Sequence, residues 1–138
     1  MNLSKNVKVT LVAAGATSAG TAINSAAVDM SGFEGVIFVG KIATANAGNT
    51  ALAAQSDASG GTYVDLVGTT IAPGGNGDSF LIDVYRPTKR FVRCEIARGG
   101  ADTVTGDVYA IQYGAAAKPT VQGATIDAIL GISPAEVA

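Results

Sequence analysis

Apolar residues in this chain recur with period two, in runs too short for helices and broken by glycine about every ten residues. Val7, Val9 and Leu11 alternate with Lys8 and Thr10, and Val92, Cys94 and Ile96 alternate with Arg93 and Glu95. Successive side chains of a strand point to opposite faces of its sheet, so such segments read as half-buried strands. Glycine, at 18 of 138 residues, weakens helix interiors and supplies the turns that join strands. The chain therefore reads as all-β: a single-domain jelly roll or β-sandwich of about eight short strands.

The strands are expected at residues 7–12, 36–42, 51–55, 62–67, 80–86, 90–97 and 107–113, with a short edge strand within 13–26. Ser31-Gly32, Ser59-Gly60-Gly61 and residues 72–78 supply turns and a loop. The run 36–42 is almost continuously apolar and β-branched, which predicts a central strand covered on both faces. Residues 80–86 and 90–97, joined at Pro87-Thr88, predict a hairpin.

Residues 1–118 are expected to form the sandwich and 119–138 an extended C-terminal arm. Pro119, Gly123, Gly131 and Pro134 break the arm, and Ile126, Ile129, Leu130 and Ile132 have no turn chemistry that folds them back. Residues 124–130 have room for one helical turn. Four large apolar groups that cannot bury themselves make this a segment that is either disordered or buried by a partner.

Composition narrows the function. The chain has no histidine, which removes the commonest general base and metal ligand, and with it any Ser-His-Asp or Cys-His arrangement. The single Cys94 excludes an internal disulfide and multi-cysteine zinc, and its alternating neighbours predict a buried thiol. Residues 15–21 have Walker-like glycine spacing, but Thr21 stands where the motif needs lysine. Residues 74–78 lack the spaced carboxylates of a calcium loop. Asp65, Asp83, Glu95 and Asp107 lie on expected strands, where solvated faces or local ion pairs account for them. Without tryptophan, a carboxylate pair in a sugar cleft has little support. No catalytic, cofactor or metal site is expected, and no enzyme activity.

There is no apolar run of membrane-spanning length. Lys5 and Lys8 ahead of residues 9–16 faintly mimic a signal peptide, but the run is short, contains Thr10 and alternates as a strand does. A net charge of −2 argues against a dedicated nucleic-acid binder. Against this background residues 83–98 stand out. Arg86, Lys89, Arg90, Arg93 and Arg98 are five of the nine basic residues. Arg86, Lys89, Arg90 and Arg93 are the candidate contacts, suited to the carboxylates of an acidic protein surface. The competing reading is a solvated strand end whose cations pair locally with Asp83 and Glu95.

Three segments carry a family resemblance: Val28-Asp29-Met30-Ser31-Gly32-Phe33, residues 83–93 as Asp-Val-Tyr-Arg-Pro-Thr-Lys-Arg-Phe-Val-Arg, and Ile132-Ser133-Pro134-Ala135-Glu136. In order and spacing they resemble the cement, or decoration, proteins of tailed bacteriophages, nearest those of short-tailed Bordetella-type phages. The resemblance implies a jelly-roll subunit that dimerises on the outer surface of an icosahedral head and ties neighbouring major capsid subunits together. It implies two partners, the major capsid protein and a second copy of the chain, with no direct contact to nucleic acid or membrane. Two other readings compete. A surface carbohydrate-binding or adhesion module would bring aromatic platforms that this chain mostly lacks; a head-completion or tail protein is poorly separated by sequence.

Overall fold

The computed structural model describes residues 2–131. After a short 3-10 turn at Leu3–Lys5, ten strands follow: β1 Lys8–Ala13, β2 Ile23–Asn24, β3 Val28–Asp29, β4 Gly35–Thr44, β5 Thr50–Ser56, β6 Val64–Asp65, β7 Ser79–Tyr85, β8 Phe91–Ala97, β9 Val104–Thr105 and β10 Val108–Tyr113. One sheet runs β1-β10-β4-β7, with β9 also on β4. The other runs β2-β8-β5-β6, with β3 also on β8. All pairings are antiparallel.

First strand pairs with last, β2 and β3 with β8, β4 with β7, and β5 with β6. This nested pairing is the winding of a jelly roll, in which a folded-over ribbon of paired strands wraps into two facing sheets. Counting β2 and β3 as one interrupted strand and setting aside the two-residue β9, the expected number of about eight is met.

The core lies between the sheets. Val36, Phe38 and Ile42 of β4, Phe80, Ile82 and Val84 of β7, and Val108 and Ala110 of β10 face Val92, Cys94 and Ile96 of β8 and Ala51 and Ala53 of β5. Each large side chain buried here stabilises the fold by about 1.5–3 kcal/mol relative to exposure. Alanine on β5 lets the second sheet approach the large residues of the first. Ser25 bridges the break between β2 and β3. Its N–H donates to the Cys94 carbonyl at 2.8 Å, and its hydroxyl accepts from the Cys94 N–H at 2.9 Å. The ladder to β8 thus continues through a side chain.

The structure departs from expectation in several places. Residues 80–86 and 90–97 are not a hairpin. β7 belongs to one sheet and β8 to the other, and residues 86–90 arch across the end of the sandwich. Period-two burial is the same for a hairpin as for an arch, so the alternation could not separate them. β4 is central but not doubly covered. Gly40 and the buried side chains of Val36, Phe38 and Ile42 face the core, while Ile37 and Val39 are only half-buried on the outer face. On β1, Val9 and Leu11 also lie outward, because they pair with Ile111 and Tyr109, which are opposite in phase to the buried Ala110 and Gln112. The expected strand 62–67 shortens to β6, and the two-residue β9 is additional. Residues 124–130 contain a turn, with the Ile126 N–H bonded to the Gly123 carbonyl, but no helix.

The arm begins against the sandwich. Thr120 N–H donates to the Lys5 carbonyl and Gly123 N–H to that of Val9. Between them the Gln122 amide acts as a surrogate peptide group. Its Oε1 accepts from the Val9 N–H at 2.6 Å and its Nε2 donates to the Val7 carbonyl at 2.9 Å. Residues 120–123 therefore cover the otherwise open edge of β1.

Candidate interaction surface

The arch at 86–90 is positioned from both sheets. Arg86 N–H donates to the Glu34 carbonyl at the start of β4, and the Arg90 carbonyl accepts from the Met30 N–H just after β3. Arg86 turns the chain with φ of +52°, a left-handed conformation uncommon for a residue with a side chain, directly before Pro87. The tip is held by Gln55 of β5. Its Oε1 accepts from the N–H groups of Thr88 and Lys89, and its Nε2 donates to the Thr88 hydroxyl at 2.9 Å. Sequence reading missed Gln55, because a half-buried strand glutamine carries no signal of its long-range partner. The Ser31-Gly32 turn, with Gly32 at φ +85°, lies opposite. Between turn and arch is an open groove of about 430 Å³ lined by residues that include Met30, Phe33, Glu34, Pro87 and Arg90.

The four candidate cations are brought to this end of the molecule, each beside a carboxylate. Arg90 makes a two-pronged pair with Asp29, at 3.0 Å from Nε and 2.8 Å from the second nitrogen. Lys89 lies 3.4 Å from Asp57, Arg86 3.8 Å from Glu34, and Arg93 3.0 Å from Glu95. The Arg90 bond holds the Asp29 carboxyl below its ordinary range, against the opposing effect of burial. Glu95 thus pairs as expected for a solvated strand end, but Asp83 does not; it accepts from the Tyr113 phenol. Arg93 also packs over the Tyr63 ring at 4.0 Å, and Arg98 donates to the Thr17 and Thr21 carbonyls. The local charge of the arch is therefore near balance, and what it offers a partner is a set of oriented ion pairs rather than bare positive charge.

The arm candidates are elsewhere. Ile126 is half-buried near the arm's root, Leu130 is exposed and Ile129 is 94% exposed. Ile132 lies outside the described residues. The structure does not bring the arm and the arch together: the arm leaves along β1, at the opposite edge of its sheet from β7, which leads into the arch.

Cys94 is buried, and burial pushes its thiol up to about 12, so it is not poised as a nucleophile. Among the described residues no group of three or more His, Cys, Asp or Glu side chains is placed to hold a metal ion.

No protein-family model matches the chain, and the search of curated proteins returns no match. Among solved structures the fold is similar to that of the PBSX exported protein XepA, with a TM-score of 0.57 and 18% identity. The likeness covers 100% of this chain and 44% of that one, so the chain spans less than half of its neighbour's length. At this identity the likeness speaks for the fold.

Proposed function

We propose that this chain is a phage-associated structural protein, and more finely a cement protein that binds the outside of an icosahedral head and ties neighbouring major capsid subunits together. The observation that carries the reading is the likeness of the whole chain to a phage-related exported protein. The three segments quoted above add the resemblance to cement proteins. On this reading the protein acts by contact and has no catalytic role. A jelly roll with its backbone groups tied into two sheets is a rigid carrier for contact segments.

The arch supplies one contact. Ion pairs that are already oriented exchange partners with a charged capsid surface at little ordering cost, and affect association rate and salt dependence more than stability. The arm supplies a second contact, and a second copy of the chain is the expected third partner. Contacts weak on their own become durable when many are made at once on a repeating lattice. Sedimentation of the purified protein with and without heads of the phage that encodes it tests the reading. An adhesion module would leave heads bare and bind a sugar array instead.

A further inference from the structure

Nine large apolar side chains are exposed among the described residues, and eight of them fall in two places. Val64, Val67, Ile71, Leu81 and Tyr85 border one side of the sandwich, and Val121, Ile129 and Leu130 lie on the arm. The first group flanks β7. This seven-residue strand ends its sheet, and its second edge has no backbone partner among the described residues. Residues 64–71 form the facing margin of the other sheet, through β6, the Leu66 N–H bond to Ala53 and the Ala51–Ile71 bridge. Two grooves of about 260 and 250 Å³ share Thr69 and Asp83 and together make one slot along β7. The core residues Ile82 and Val84 border it from within.

The fold shields its other edges. β1 is covered by residues 120–123, and β2, β3 and β6 are only two residues long. A long uncovered edge strand beside exposed apolar groups is the arrangement that accepts an added strand. The chain itself carries a segment suited to that position. In residues 124–131, Ile126, Ala128 and Leu130 alternate with Thr125, Asp127 and Ile129, and after the turn at 123–126 the backbone has no partner among the described residues. Added to β7, the first set would continue the core past Ile82 and Val84, and Ile129 would join the outer face beside Leu81 or Tyr85.

A chain cannot readily fill its own slot with these residues. Its arm is fixed at Val9, beyond β1, and the slot lies beyond β7, about five strand spacings or roughly 24 Å away. Eight extended residues span about 26–29 Å, so Ile126, Ile129 and Leu130 would be used in the crossing. We propose that the slot along β7 receives the arm of a second copy of this chain, residues 124–131 adding as a strand. This deepens the assembly role proposed above and rests on it only in treating the arm as a contact segment; heads are not needed to test it.

The test uses two full-length variants. Leu81→Lys places a charge in the slot at a position 58% exposed, and Ile129→Asp with Leu130→Asp disables the arm. Circular dichroism checks that both fold; should Leu81→Lys not fold, Val67→Lys replaces it, at a site with no packing to lose. In sedimentation at micromolar concentration the unaltered protein self-associates. Each variant alone associates about tenfold more weakly or worse, the loss expected when a charge replaces a central apolar contact. Mixed together, the intact arm of the first meets the intact slot of the second, and a 1:1 complex forms. A monomeric unaltered protein overturns the proposal. So does an arm variant that associates normally, which would instead indicate β7 pairing with β7, and so does a mixture that stays monomeric. Failure here leaves head binding standing, and loss of head binding with complementation intact would leave the arm exchange standing.

Discussion

The phenol of Tyr113 on β10 reaches across β4 to donate a hydrogen bond to the Asp83 carboxylate on β7, at 2.5 Å. Gly35 makes the crossing possible. It pairs with both Tyr113 and Tyr85, and a Cβ there would collide with the Tyr113 ring, which stacks parallel to Tyr85 at 6.4 Å. Gly35→Ala should displace the ring and destabilise the fold by about 1–3 kcal/mol, measured by urea unfolding. Burial and the Asp83 bond push the Tyr113 phenol up to about 12. The folded state holds this proton more tightly than the unfolded one. Its contribution is fully present below pH of about 10 and is lost as pH rises through about 12. Tyr113→Phe should remove that alkaline dependence.

Cys94 should react with a thiol reagent at neutral pH only when β8 opens, because its thiol is buried and its backbone is bonded on both sides to Ser25. Ser25→Ala leaves the buried Cys94 N–H without its hydroxyl acceptor, a loss of about 1–3 kcal/mol. Labelling should accelerate in the variant. An unchanged rate would mean that β2 and β3 do not protect β8.

The Asp29–Arg90 pair ties β3 to the arch and is exposed, so solvent screens it and its contribution to stability is modest. The folded carboxyl is held below its ordinary value, so its contribution is present above that value and fades as pH falls through the lower, folded one. Asp29→Asn should flatten this part of the acid unfolding curve and leave stability at pH 7 nearly unchanged.

Gln55 should matter more to the arch than any one of its cations. Gln55→Ala removes the acceptor of two arch N–H groups and the donor to Thr88, and should speed hydrogen exchange at Thr88 and Lys89 about tenfold or more. Lys89→Ala, which removes one exposed ion pair, should leave those rates nearly unchanged.

The all-β class, β1, β4, β8, β10 and the buried Cys94 were legible because each depends on local period-two alternation. The arch was not, since Val84 and Val92 are buried alike whether β7 and β8 pair or face each other across the core. The orientation of Val9 and Leu11 was hidden for a related reason: alternation identifies two faces without saying which one is covered. The arch cations were legible as a cluster, but Asp29, Glu34 and Asp57 come from other strands and loops, and only the fold brings them near. Gln122, Gln55 and Ser25 act through bonds to distant backbone, which residue type alone does not announce.

The most direct measurement is co-sedimentation of the purified protein with empty heads of its phage, scored by head stability to heat or dilution. The account predicts saturable binding at a fixed number of copies per head, heads that withstand harsher conditions when decorated, and weaker binding for the combined variant Arg86→Ala, Lys89→Ala, Arg90→Ala and Arg93→Ala as salt is raised. Heads that neither bind the protein nor gain stability from it would contradict the account.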